Sequence, residues 1–234
     1  VSPSTAEDFA AERLNQWHQW RGPLGDGLAP RGDPPLQWGE QKNVKWKVEL
    51  PGEGHASPIV WGDCVFVLSA LATDRRLDKL APLEQEPPGG YKTERPMEFY
   101  RFLVMCFDRK NGRLRWQQVA CEAVPHEGRQ GTNSYASSSP TTDGRRLYVS
   151  FGSRGIFCYD LEGKRLWDRD LGDMTTRFGW GEGTSPVLHG DSLIVNWDHE
   201  GQSFLVVLDA RTGETKWRTE RDEPTSWVTP RVVE

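Results

Sequence analysis

The sequence predicts an all-β protein, a β-propeller of four-stranded antiparallel blades, on three observations. A phrase ending in tryptophan recurs at a fixed step: CFDRKNGRLRW ends at Trp116, CYDLEGKRLW at Trp167 and LDARTGETKW at Trp217, 51 and then 50 residues apart. A second phrase keeps time with it. ASPIVWGDCVFVLSA starts at Ala56, SSPTTDGRRLYVSFG at Ser138, TSPVLHGDSLIVNWD at Thr184 and VTPRVVE at Val228, with Pro58, Pro140, Pro186 and Pro230 separated by 82, 46 and 44 residues. The third observation is composition: 11 tryptophans and 24 glycines in 234 residues suit a turn-rich β protein. Four short strands repeating every 40 to 50 residues, roughly, is the signature of propeller blades.

Each unit reads strand by strand. The first strand follows the Ser/Thr-Pro pair, as in Pro58–Trp61, and a Gly-Asp or Asp-Gly turn leads to the second, at Val65–Ser69, Leu147–Phe151 or Leu193–Asn196. The third is Phe102–Phe107, Ile156–Tyr159 or Phe204–Leu208, and a second glycine turn leads to the strand that carries the tryptophan. The blades are then 56–120, 138–171 and 184–219, and the long first proline interval marks an insertion at 71–101. One thin sheet cannot bury both of its faces alone, so blades must stack, and one large indole per blade fills the gap between neighbours. Trp46, Trp116, Trp167 and Trp217 are therefore expected as scaffold. Asp108, Asp160 and Asp209, each ahead of a glycine turn, are expected to accept backbone N–H bonds.

The ends are incomplete blades. After an N-terminal extension, 1–42, the stretch NVKWKVEL at 43–50 resembles a fourth strand with no strands before it, the orphan that closes a ring by pairing N- and C-terminal segments. Residues 228–234 open a fourth unit. Three blades with two loose ends leave edges unpaired, so the expectation is the N-terminal portion of a seven- or eight-bladed ring.

Net charge is −5, from 29 basic and 34 acidic residues, which argues against a nucleic-acid surface. No apolar run approaches the length of a membrane span. Cys64, Cys106, Cys121 and Cys158 show no CxxC spacing, and Cys106 and Cys158, inside apolar strands, are expected as small buried hydrophobes. His18 and His189 read as surface or packing residues, and the RGD at Arg31–Asp33 as a chance tripeptide.

The loops sort onto two faces. The connections between strands one and two, and between three and four, are short. The others are long: the insertion, VPHEGRQGTNSYA at Val124–Ala136, GDMTTRFGWGEG at Gly172–Gly183 and NWDHEGQ at Asn196–Gln202. Long loops on one face of a rigid scaffold are where binding usually sits. The candidate binding residues there are His55, His126, Glu127, Asn133, Arg177, Trp180, Trp197, Asp198 and His199. In one reading they line a pocket near the central channel, with Arg and Asn orienting an anion or quinone, tryptophan stacking, and a carboxylate holding a cation or acting as base. In the other they pack and cap the loops. His126-Glu127 and Asp198-His199-Glu200 are metal-ligand types at spacings that match no zinc signature, so no metal is expected.

The Asp-x-x-x-Gly-x-x-x-Trp phrase with the Ser-Pro phrase resembles the pyrroloquinoline-quinone-like propeller repeat. That superfamily includes quinoprotein alcohol dehydrogenases and the outer-membrane assembly factor lipoprotein. WHQWRGPLGDG at Trp17–Gly27, followed by the orphan strand, is similar to exported repeat proteins of planctomycetes and related bacteria. The resemblance implies a periplasmic or cell-surface location. Quinoprotein dehydrogenases hold quinone and calcium with an adjacent Cys-Cys pair and a set of Glu, Asn and Asp residues; no two cysteines here are adjacent. The expectation is a non-catalytic scaffold that binds a protein or another macromolecule through the long-loop face, with no cofactor. A quinone-dependent dehydrogenase with pyrroloquinoline quinone and calcium is the alternative, and a glycan-binding or sensor module using exposed Trp180 and Trp197 is a third.

Overall fold

Side chains alternate along each short strand, and that period of two gives every sheet two apolar faces. In the second repeat Leu147, Val149, Phe157 and Tyr159 point to one side, while Tyr148, Ile156 and Cys158 point to the other. The computed structural model of the chain describes residues 6–90 and 93–233 and shows the consequence, three four-stranded antiparallel sheets stacked as blades. The first contains β1 (Ile59–Trp61), β2 (Cys64–Arg76), β3 (Glu98–Asp108) and β4 (Leu114–Ala123). The second contains β5 (Thr141–Thr142), β6 (Arg146–Ser150), β7 (Ile156–Asp160) and β8 (Arg165–Arg169). The third contains β9 (Val187–His189), β10 (Ser192–Trp197), β11 (Ser203–Asp209) and β12 (Thr215–Arg221). One core fills the space between the first two blades around Phe66, Phe102, Val104 and Phe151, and a second fills the next gap around Tyr148, Leu193, Trp197 and Phe204. Cys106 and Cys158 are buried free thiols in these two cores, as expected.

Neighbouring blades are fastened at the rim by the repeated tryptophan. Trp116 Nε1 donates to Leu161 O at 2.8 Å and Trp167 Nε1 to Ala210 O at 3.2 Å, each time in the glycine turn of the next blade. Those turns carry Gly163 and Gly213 at φ +91° and +73°, and a Cβ on Gly163 would stand 2.7 Å from the Trp116 ring. Glycine is required twice over, for the left-handed backbone and for the close approach. A bulge one residue before each tryptophan (Arg115, Leu166, Lys216) shifts the register, a device that re-aims the side chain that follows. The turn aspartates act as expected: Asp108 Oδ1 accepts from the N–H groups of Lys110 and Asn111, Asp160 Oδ1 from Glu162 and Lys164, and Asp209 Oδ1 from Arg211 and Thr212.

A second fastening runs along the hub. The hydroxyl before each proline accepts the N–H of its counterpart in the preceding blade: Ser57 N to Ser139 Oγ at 2.9 Å, Ser139 N to Ser185 Oγ at 2.9 Å, and Ser185 N to Thr229 Oγ1 at 3.2 Å. The Ser-Pro phrase is thus a set of inter-blade links. Residues 228–233 form no strand, yet Thr229 holds the fourth place in this series. Residues 43–50 also form no ladder, but Trp46 Nε1 donates to Arg109 O at 3.0 Å over Gly112, the relation of Trp116 to the next blade.

Two sequence expectations are revised, and the N-terminal extension, for which none was stated, gains a place. The first blade's strands run further than Val65–Ser69 and Phe102–Phe107, because pairing continues through Leu71↔Arg101, Ala72↔Tyr100 and Arg76↔Glu98, so the insertion 71–101 shrinks to the stretch between β2 and β3. The N-terminal extension is not loose: a helix, Ala6–Glu12, precedes Trp17, which exchanges two backbone hydrogen bonds with Val60, while Thr142 N donates to His18 O. The extension therefore bridges β1 and β5, with Phe9 stacked on Trp61 at 5.2 Å and His18 buried beside both, its pKa lowered by that burial to about 4. Trp197 is 2 % exposed and stacks on Phe204 inside the second core; its alternation along β10 points it inward, so it offers no exposed face to a sugar.

The docking relation predicts unequal costs for like substitutions. Trp116→Ala is expected to cost about 3 kcal/mol by opening a gap between blades. Trp217→Ala, at a ring 49 % exposed, is expected to cost less than about 1 kcal/mol. Urea unfolding of the two variants checks the difference.

Candidate functional site

The long loops do converge on one face. Between the insertion and the blade loops lies a cleft of about 950 Å³. Its roof is Leu77, Leu80 and Leu83, and its floor carries His126, Arg154, Asp173 and His199. Beneath the floor, sharing Pro125, His126, Ser153 and Arg154 with the cleft, is a cavity of about 30 Å³ into which Glu127 and Glu182 face.

The loops have almost no ladder hydrogen bonds, so carboxylates take the place of backbone acceptors. Glu127 is buried and accepts from Thr176 N at 3.0 Å and from the Thr176 hydroxyl; burial raises its pKa against those two bonds. Thr176 Oγ1 in turn accepts from Gly181 N at 3.1 Å. Glu182, the next residue, accepts from Ser153 N at 2.7 Å and from the Ser153 hydroxyl, and Ser153 Oγ accepts from Met174 N at 2.8 Å. Burial first, and the charge of Glu127 second, push the Glu182 pKa up to about 7. Its carboxyl occupies the space a Cβ at Gly152 would fill, so that glycine is part of the arrangement. On the cleft side Asp173 sits between His126 Nδ1, at 2.8 Å, and the Arg154 guanidinium; burial alone would raise its pKa, but these partners hold it below the usual carboxylate range.

The candidate residues scatter around this centre. His126 and Glu127 line the cavity and His199 the cleft. His199 Nδ1 accepts from Thr175 N at 3.1 Å, and burial lowers its pKa. Asn133 holds the neighbouring wall, donating to Trp180 O at 3.2 Å. Asp198 is buried under Arg221, 2.8 Å away, with Asn196 and Ser226 as further donors; burial opposes the shift, but these partners keep its pKa below the ordinary value. Arg177 is exposed, its guanidinium 5.1 Å from the Phe178 ring centre, and Trp180 stacks between Phe178 and Trp227. His55 is exposed, its N–H bound to Ser134 Oγ and Ala136 O. Glu182, Ser153, Arg154, Asp173 and Thr176 were not singled out in the sequence. The one available signal was Glu182, a lone acid between glycines in GWGEG.

A quinone with calcium does not fit these residues. The carboxyl pair faces a cavity of about 30 Å³, far below the few hundred Å³ of a ligand pocket. The larger cleft offers Asp173, already held by His126 and Arg154. Among the described residues no group of three or more metal-ligand side chains is placed to hold an ion.

Stacked four-stranded blades with a loop face define a propeller repeat protein. Residues 101–233, more than half the chain, match the family described as outer membrane protein assembly factor BamB, and the chain belongs to that family. No curated protein sequence matches it. The quinohemoprotein alcohol dehydrogenase ADHIIG from Pseudomonas putida HK5 is similar in structure, with 17% identity and a TM-score of 0.52 over 93% of this chain and 28% of that one. A europium-containing methanol dehydrogenase matches at 16% identity, TM-score 0.46, over 76% of this chain and 26% of that one. BamB from Moraxella catarrhalis matches at 16% identity, TM-score 0.37, over 72% and 56%. The chain thus spans little more than a quarter of the length of the dehydrogenases it matches. At such identities the likeness shows the fold alone.

Asp198 gives a prediction with a defined sign. Its folded pKa lies below the ordinary 3.8, so its contribution is present at neutral pH and lost as pH falls through the folded value. Asp198→Ala is expected to cost on the order of 2 kcal/mol at pH about 7, with the gap to the parent protein narrowing once pH falls below 3.8. Denaturant titration on both sides of that value measures it.

Proposed function

We propose that the chain is a non-catalytic, extracytoplasmic scaffold that binds a protein or another macromolecule through its long-loop face. The observation that carries this reading is the fate of the acid and base side chains there. Glu127, Glu182, Asp173, Asp198 and His199 each serve another loop as acceptor or ion-pair partner. A general base needs a free lone pair aimed at substrate, and these lone pairs are spent on architecture. The open feature is instead the cleft, apolar above and polar below, a combination suited to a macromolecular partner. Membership of the assembly-factor family supports the same reading and an extracytoplasmic location. No described helix is long and apolar enough to cross a membrane, and the net charge of −5 gives nucleic acid no attraction.

One observation favours a second reading, a glycan-binding module. Trp180 stacks on Trp227 with centroids 6.2 Å apart, and Trp227 is exposed, which leaves an aromatic face at the edge of the loop surface.

Two measurements separate the readings. Calorimetric titration of the full chain with pyrroloquinoline quinone and calcium is expected to give no binding heat; stoichiometric submicromolar binding would replace the scaffold with a dehydrogenase. A photo-crosslinking residue at Leu80, in the cleft roof, is expected to capture one defined protein in cells, while the same residue at Arg165, on the rim, captures none. Equal capture at both places, or loss of oligosaccharide binding in Trp227→Ala, would overturn the cleft as the binding feature.

A further inference from the structure

Three loops of the long-loop face meet at two carboxyl groups. Glu127 comes from the loop that enters the second blade, Glu182 from the loop that enters the third, and Ser153 from the β6–β7 connection. The hydrogen bonds form one chain: Glu127 to Thr176, Thr176 to Gly181, then Glu182 to Ser153 and Ser153 to Met174. Every link joins two of the three loops or turns a loop back on itself. Both carboxyls face the same cavity of about 30 Å³. Among the described residues neither has an ion-pair partner: the nearby basic side chains are engaged elsewhere, His126 and Arg154 with Asp173 and Arg129 with Glu53. Tyr135 also lines the cavity, and its own pKa is raised by burial, so it brings no charge.

We propose that Glu127 and Glu182 carry one proton as a pair, and that this proton keeps the three loops together, so that the long-loop face is closed while the proton is held and loosens when it leaves. Two buried carboxylates lining one small cavity, neither of them ion-paired, repel when both are charged. One proton removes that repulsion and leaves the four donors from Thr176 and Ser153 in place. With two charges, the least costly relief is separation of the loops, because each carboxyl reaches water only by leaving its partner's donors.

The pH window follows from Glu182, whose folded pKa is about 7 against an ordinary 4.5. The folded chain binds the proton more tightly than the unfolded chain, so this pair's contribution to stability falls as pH rises from about 4.5 to about 7 and is constant above. His126, Asp173 and Arg154 face the pair from the cleft side. The Asp173 carboxylate stays charged throughout this window, since its pKa is lowered.

The test is amide hydrogen exchange of the full chain from about pH 5 to about pH 9, corrected for the intrinsic base-catalysed rate. Residues 124–136 and 172–183 are expected to lose protection about tenfold per pH unit between about pH 5 and about pH 7 and no further above it, while the β6 and β10 amides do not change. Glu182→Gln, which keeps the shape without the charge, is expected to abolish that pH dependence. Corrected protection that is flat in the parent protein, or a slope that persists in Glu182→Gln, would overturn the proposal. Should the variant fail to fold, carbon-13 titration of the parent protein's glutamate carboxyls decides alone. A resonance with a midpoint near 7 supports the proposal, and midpoints all in the ordinary carboxylate range refute it.

Discussion

The indole of one blade seated on the glycine turn of the next is the contact on which the rest depends. A four-stranded blade has two apolar faces and no way to cover them alone, so the chain is stable only as a stack. The tryptophan sets the spacing of that stack. It imposes three local demands: a bulge before it to aim the ring, a left-handed glycine beneath it, and an aspartate to hold the turn that carries its acceptor carbonyl. The repeated phrase is the sequence image of those demands. At the opposite end of each blade the pre-proline hydroxyls tie one first strand to the next. With rim and hub both fixed, the blades have little freedom left, and variation is confined to the long loops.

Those loops carry the cost of having no ladder of their own. Their backbone N–H groups lie against other loops, away from water, and each buried donor needs an acceptor. Carboxylates supply it. Glu127 serves Thr176, Glu182 serves Ser153, and Asp198 gathers Asn196, Ser226 and Arg221. A cluster of acids and histidines of this kind has the composition of an active site and the bonding of a splint. The distinction rests on where the lone pairs point, and here they point into the protein.

This explains what could be read from the sequence and what could not. The blades were legible because their constraints are periodic and local: Trp116 and Trp167, the Asp-Gly turns and the Ser-Pro pairs recur at one step, and each has a single physical use. The extent of β2 and β3 was less legible, since Leu71, Ala72 and Arg76 pair with residues more than twenty positions away across an insertion that hides the alternation. Trp197 was misjudged because it sits at the start of a polar loop phrase, NWDHEG, while its place in the register of β10 faces it into the core. The site was legible only as a face. That Glu127 and Glu182 share a cavity depends on how two loops 55 residues apart in sequence fold onto each other. No spacing within either loop records it.

Apolar packing and inter-blade backbone bonds carry no titrating group, so the contacts that hold the blades together differ in kind from those that hold the loops. The two carboxyls whose pKa is raised, Glu127 and Glu182, both lie where the loops meet. A rigid frame with an adjustable face divides the labour in one chain: the blades fix where the cleft stands, and the carboxyl pair governs how firmly its walls are held. The same burial that makes Glu182 costly to ionise is what couples it to loop position, because only separation of the loops returns it to water. A carboxyl placed on the rim would titrate near its ordinary value and move nothing. Placed beneath the cleft, next to a second carboxyl and without a cation, it turns a change of one proton into a change in the binding face.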